Sequence, residues 1–172
     1  MSFDTRRIAA SVLLIFACGW TGACLAASAE PATTVVARLY KDYAWEAMAS
    51  QPALFGEGLA HQDKATLQRY FTPALAELLE RDAACQARVR GICNLDFALL
   101  FYSQDPRVTD LDVQQRSSDQ VEVAFKDPVT DKKTIIVFRL VRTGGKWRIA
   151  DILYGNRQGA SLKGVLSRRM PR

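Results

Sequence analysis

A chain of 172 residues, 49% of them apolar, is long enough for one domain with a real core. Its formal charge of +5 is too slight to argue for a nucleic-acid partner. Walker loops, dinucleotide glycine fingerprints, serine nucleophile elbows and zinc spacings are all missing from the sequence, so it points to no familiar catalytic class.

The chain begins with Arg6 and Arg7, an apolar run from Ile8 to Trp20, and small residues ending in Ala27-Ser28-Ala29. A basic start, a short apolar run and an A-x-A end read as a secretory signal peptide over 1–29. The alternative is an uncleaved anchor helix, but the run is short for a bilayer, so no transmembrane segment is expected after cleavage. The expected location is periplasmic or secreted. Lipid anchoring at Cys24 is the lesser reading, because Thr21 stands where a leucine-like residue belongs. Cleavage would remove Asp4, Arg6 and Arg7 and leave +4 of the +5.

Residues 30–154 read as a single domain. Val36, Leu39, Tyr40, Tyr43 and Ala47 recur at helical spacing, with Thr33 or Thr34 as N-cap. That helix is expected to stop near Ser50-Gln51-Pro52, since the residue before proline resists helical geometry. A loop with Gly56 and Gly58 follows. Asp63 caps a short helix through Leu67, Tyr70 and Phe71. Thr72-Pro73 opens a longer one carrying Leu75, Leu78, Leu79, Asp82, Cys85, Gln86 and Val89. Gly91 is its expected left-handed end.

Past Asp105-Pro106 the period changes to two. Leu111, Val113 and Gln115 share one side of a first strand, and Val121, Val123 and Phe125 one side of a second. Thr134–Arg142 is rich in β-branched residues, Thr143-Gly144-Gly145 is a hairpin turn, and Lys146–Tyr154 returns. In that last strand Trp147, Ile149, Asp151 and Leu153 are expected on one face. Helices followed by an antiparallel meander make an α+β fold, with N-terminal helices packed on a curved sheet. Residues 155–172 read as a basic C-terminal tail. Its Arg157, Lys163, Arg168, Arg169 and Arg172 suggest a solvated end, or else a contact with anionic lipid or an acidic partner.

Two cysteines remain after cleavage, and an even count in an exported chain predicts a Cys85–Cys93 disulfide. Closing so short a loop contributes roughly 2.5 kcal/mol in the chain-entropy model. A metal site would need further ligands, and the only histidine is His61, so neither metal nor cofactor is expected.

Asp96-Phe97 through Gln104-Asp105, and then Gly144-Gly145-Lys146-Trp147-Arg148-Ile149-Ala150-Asp151-Ile152, carry a resemblance. Together with the aromatic helix around Leu39-Tyr40-Lys41-Asp42-Tyr43, they resemble the nuclear transport factor 2-like superfamily of cone-shaped α+β domains. More narrowly, they are similar to a bacterial family of exported proteins and lipoproteins within it, a domain of unknown function. The likeness covers roughly residues 35–154. It implies a cone fold and, as often in such domains, a homodimer through the open sheet face. It implies no particular activity, because that superfamily holds isomerases, dehydratases, binding modules and association domains.

The candidate ligand-binding residues are Tyr40, Tyr43, Asp96, Gln104, Asp105 and Trp147. Asp96 follows the expected disulfide in an apolar run. Facing the interior, it would have a raised pKa suited to proton transfer; otherwise it bonds backbone at a helix-to-sheet junction. Gln104 and Asp105 reach a ligand, or Asp105 shapes the turn into Pro106. The aromatics Tyr40, Tyr43, Trp45, Phe101, Tyr102 and Trp147 form a pocket wall or simply core. Three functions follow. The first is a non-catalytic binding or interaction module for a small molecule or protein. The second is an immunity or inhibitor protein against a periplasm-acting toxin. The third is a small enzyme using Asp96 as acid or base.

Overall fold

The computed structural model describes residues 30–48, 54–155 and 160–170. The segment read as a signal peptide, the expected helix stop at Ser50-Gln51-Pro52, and Arg157 and Arg172 lie outside these residues. None of the described helices is long and apolar enough to cross a membrane.

Helix α1 spans Ala32–Tyr43 and starts directly after Pro31, whose extended backbone is the N-cap. No side chain caps it, and Thr33 and Thr34 lie inside its first turn rather than before it. Proline fits this place because the first turn leaves its N–H groups unpaired in any case. The helix tightens into a 3-10 turn, Ala44–Ala47, and a second such turn covers Leu59–His61.

Helix α2, Lys64–Leu67, is capped by Asp63, which accepts from Thr66 N at 2.7 Å. Helix α3, Pro73–Val89, is capped by Thr72, which accepts from Leu75 N at 3.3 Å. Both caps match the sequence expectation. The left-handed residue at the end of α3 is Arg90, φ 52°, and not Gly91. The chain leaves the helix one residue early, with Arg90 N–H and then Gly91 N–H bonded to the Gln86 carbonyl.

Four antiparallel strands follow: β1 Thr109–Ser117, β2 Gln120–Lys126, β3 Lys133–Thr143 and β4 Lys146–Tyr154, in that order across the sheet. The fold is α+β, as expected. Val121, Val123 and Phe125 of β2 face inward with Ile136, Phe138 and Leu140 of β3. Helix α1 lies against this face through Val36, Leu39 and Tyr40, and α3 adds Leu75 and Leu79. Gly144 and Gly145 have φ of 56° and 76°, the pair of positive values that a tight hairpin requires.

One expectation about β4 is overturned. Arg139 pairs with Asp151 but Leu140 pairs with Ile149, so an extra residue, Ala150, bulges out of the ladder. A one-residue insertion moves every later side chain to the opposite face. Ile149, Ile152 and Tyr154 are therefore buried, while Asp151 and Leu153 are only half-buried.

The two sheet edges differ. The free edge of β4 is covered at both ends: Thr72 N bonds the Ile149 carbonyl, Ile149 N bonds the Tyr70 carbonyl, and Tyr154 N bonds the Ala160 carbonyl. A further helix, α4, spans Leu162–Leu166, capped by Ser161 and packed on β4 and α3 with Leu162 and Leu166 buried. The described part of the basic tail is thus no solvated end; its apolar residues complete the core. Among the described residues β1 pairs on one side only and is mostly exposed.

Candidate functional site

The segment from Ile92 to Pro106 joins helix to sheet, and its shape is fixed from α3. Cys85 and Cys93 form the expected disulfide, with Cα atoms 6.2 Å apart. One turn earlier, Asp82 is only 1% exposed, the one buried charged residue among those described. Its Oδ1 accepts from Asn94 N at 2.8 Å, and its Oδ2 accepts from Gln86 Nε2 at 2.7 Å and from Leu95 N at 3.4 Å. A buried carboxylate is tolerable when donors meet its oxygens, and these three do so. Asn94 Nδ2 reaches on to the Leu166 carbonyl at 3.4 Å, tying the segment to α4.

Beyond Asp96 the segment enters the core. Leu99, Leu100 and Phe101 are buried. Two tyrosine hydroxyls hold their backbone from below: Tyr154 donates to the Leu99 carbonyl at 3.1 Å and Tyr40 to the Leu100 carbonyl at 2.8 Å. Burial pushes both phenols above their ordinary value; for Tyr154, charges on neighbouring groups add to the effect. A closed turn follows, in which Ala98 N bonds the Ser103 carbonyl at 2.8 Å and Tyr102 takes φ 53°. The exposed Tyr102 ring stacks on Tyr154 at 4.6 Å, which holds that uncommon conformation.

Residues 45–48 and 54–61 form the other side of this region. Leu59 anchors them: the side chain is buried against α3, and its N–H donates to Glu46 Oε1. Burial raises the pKa of Glu46, against the lowering effects of the Leu59 bond and of nearby His61. Gly58 packs closely here: a Cβ would stand 2.9 Å from Glu46 Oε1, so the Glu46 side chain would have to shift. Trp45 stacks on Phe55 at 5.3 Å, and Phe55 is itself 53% exposed.

Between the two stretches lies an open cleft of about 660 Å³. Trp45, Phe97, Ile92 and Leu95 give it apolar surface; Glu46, Asp96, His61 and Gln104 give it polar groups. That volume lies within the range of small-molecule sites, which are mostly apolar with a few convergent polar groups. A second, apolar groove of about 470 Å³ runs between α1 and β1, lined by Tyr40, Met48, Leu111 and Val113 among others. Among the described residues no His, Cys, Asp and Glu group is arranged to hold a metal ion.

The six candidate residues are dispersed. Asp96 and Gln104 meet in the cleft. Tyr40 lies in the core with its hydroxyl spent on Leu100, and only touches the second groove. Tyr43 is buried edge-on to Tyr70. Asp105 is exposed in the turn, paired with Arg107 at 3.3 Å. Trp147 is at the other end of the sheet, donating to the Glu30 carbonyl at 2.7 Å under the Arg142 guanidinium.

Asp96 does not face the interior. It is exposed at the cleft, and the buried acid of this region is Asp82. Glu46 escaped the sequence reading, because a single acid after an aromatic helix carries no spacing signal; its partners are a glycine and an amide twelve and thirteen residues on. Comparison with protein-family models, with curated proteins and with solved structures finds no match to this chain.

Proposed function

We propose that this chain is an exported, non-catalytic binding module of the periplasm or extracellular space, and that its ligand occupies the cleft lined by Trp45, Glu46 and His61 on one side and by the Ile92–Pro106 segment on the other. The observation that carries this reading is the cleft itself: about 660 Å³, apolar walls, and five polar side chains on its lining, Glu46, His61, Gln86, Asp96 and Gln104. The signal-like leader and the disulfide support export. The order of elements supports a place among cone-shaped domains resembling nuclear transport factor 2, and that resemblance brings with it a homodimer through the sheet face. Nucleic acid remains a poor partner for so mild a charge.

A second reading, a small enzyme, draws on one observation. Glu46 has a burial-raised pKa close to His61, the usual materials of proton transfer. In this reading the acid or base is Glu46 rather than the exposed Asp96.

Nitrogen-15 shift mapping with a small-molecule fragment library separates these possibilities. The binding reading expects hits whose shifts cluster on Trp45, His61, Asp96 and Gln104. Hits confined to the α1–β1 groove, or none at all, would refute it. Chemical turnover of a cleft-bound fragment, abolished in Glu46→Gln, would replace it with the enzyme reading.

A further inference from the structure

We infer that the cleft selects organic cations: compounds with a protonated or quaternary nitrogen on an aromatic or aliphatic body. This inference rests on the reading of the cleft as the binding site and adds the ligand's chemical class. It starts from a mismatch of sign. The chain carries a formal +5, yet the cleft holds the carboxylates of Glu46 and Asp96, and none of its described lining residues is Lys or Arg. His61 is the lining residue with an imidazole. An anionic ligand would meet two negative charges with no fixed cation to offset them.

The two acids come from separate stretches of chain and line the same cleft. Glu46 commits only Oε1 to the Leu59 amide. Among the described residues no buried side-chain oxygen lacks a partner, so its Oε2 either keeps contact with solvent or is bonded. Its burial is already unfavourable to the charged form, and a cation is the ligand that offsets this. Asp96 is exposed and lines the same cleft.

The walls fit the rest of such a molecule. Trp45 and Phe97 line the cleft, and aromatic faces attract alkylammonium groups through the ring quadrupole. Phe55, stacked on Trp45, extends this aromatic surface at the rim, and Ile92, 65% exposed, supplies an apolar one. Neutral apolar ligands would use the same walls but offer the two carboxylates no opposite charge for the solvent they displace, a cost that a cation avoids.

The test uses three probes of similar size on the full chain: benzyltrimethylammonium, benzyl alcohol and phenylacetate, followed by nitrogen-15 shifts. The cation should move the Trp45 indole and the His61 and Asp96 amides, and bind at least about fivefold more tightly than the neutral probe. Glu46→Gln and Asp96→Asn should each weaken the cation about fivefold and leave benzyl alcohol unchanged, with unaltered spectra elsewhere showing that both variants fold. If benzyl alcohol or phenylacetate binds the cleft as well as the cation, or neither variant weakens the cation, the ligand class is wrong and the cleft stands. If no probe moves the cleft resonances, the cleft reading itself falls, and the ligand class with it.

Discussion

The two walls of the cleft are built in opposite ways. The Ile92–Pro106 wall is fixed from beneath by a disulfide, by three donors to Asp82 and by two tyrosine hydroxyls. The described residues of the other wall, 45–48 and 54–61, hang on Leu59 and its bond to Glu46, and leave Met48, 75% exposed, and Phe55 in solvent. The first wall therefore acts as a rigid template, and the second has more freedom to adjust to what lies in the cleft. Local stability follows the density of buried contacts, so opening motions should concentrate on the second wall.

The largest break should come from the template's hidden anchor. Asp82→Ala strands the Asn94 and Leu95 amides and the Gln86 amide group, and should cost about 3 kcal/mol or more, read from denaturant unfolding. A loss below about 1 kcal/mol would mean that the wall is held some other way. Next comes the staple. Cys85→Ser with Cys93→Ser should cost roughly 2.5 kcal/mol, measured as the drop in unfolding free energy against the oxidised protein.

Tyr154→Phe removes one hydroxyl from beneath Leu99 and should cost about 1 kcal/mol. The same phenols give the comparison a pH dependence. Tyr40 and Tyr154 are raised well above the ordinary value, and Tyr70 is pushed up to about 12 by burial first and then by its hydrogen bond to Asp42. A raised folded pKa means that their contribution is complete below the unfolded value of about 10 and is lost as pH rises through the folded values. Circular dichroism with phenolate absorbance should show the tyrosine contribution lost only above about pH 10, with these tyrosines ionising as the fold opens.

The smallest effect is expected on the other wall. Glu46 is raised from 4.5 by burial, so its carboxylate is favourable when protonated, and that contribution falls as pH climbs through the raised value. Glu46→Gln keeps an oxygen for the Leu59 amide and should leave the melting temperature at pH 7 unchanged or slightly higher. A clear drop would show that the ionised carboxylate holds this wall, contrary to the account.

Much of the frame was legible in the sequence because it is encoded locally. Asp63 and Thr72-Pro73 announce their helices by side chains that bond amides three residues away. The Gly144-Gly145 pair announces its hairpin, and the two cysteines that follow the signal-like leader announce their bond. The errors arose where one residue shifts the register. The bulge at Ala150 reversed the facing of Asp151 and Leu153, and Arg90 took the conformation expected of Gly91.

The cleft was half legible. Asp96 and Gln104 stood out beside aromatics in one short stretch. Glu46 and Trp45 reach the same space from a helix end forty to sixty residues away, a proximity that no spacing rule contains. Helix α4 was missed for a related reason. Its basic residues dominate the composition, while Leu162, Val165 and Leu166, which dock it, are too few to show a helical stripe.

Amide hydrogen exchange of the full chain, with and without saturating benzyltrimethylammonium, tests the two-wall account of the cleft most directly. The account predicts slow exchange at Asn94, Leu95 and Leu99–Phe101 in both states, and faster exchange across residues 54–62 that slows when the cation is bound. Equal protection of the two walls in the free protein, or protection gained along β1 instead of the cleft, would contradict it.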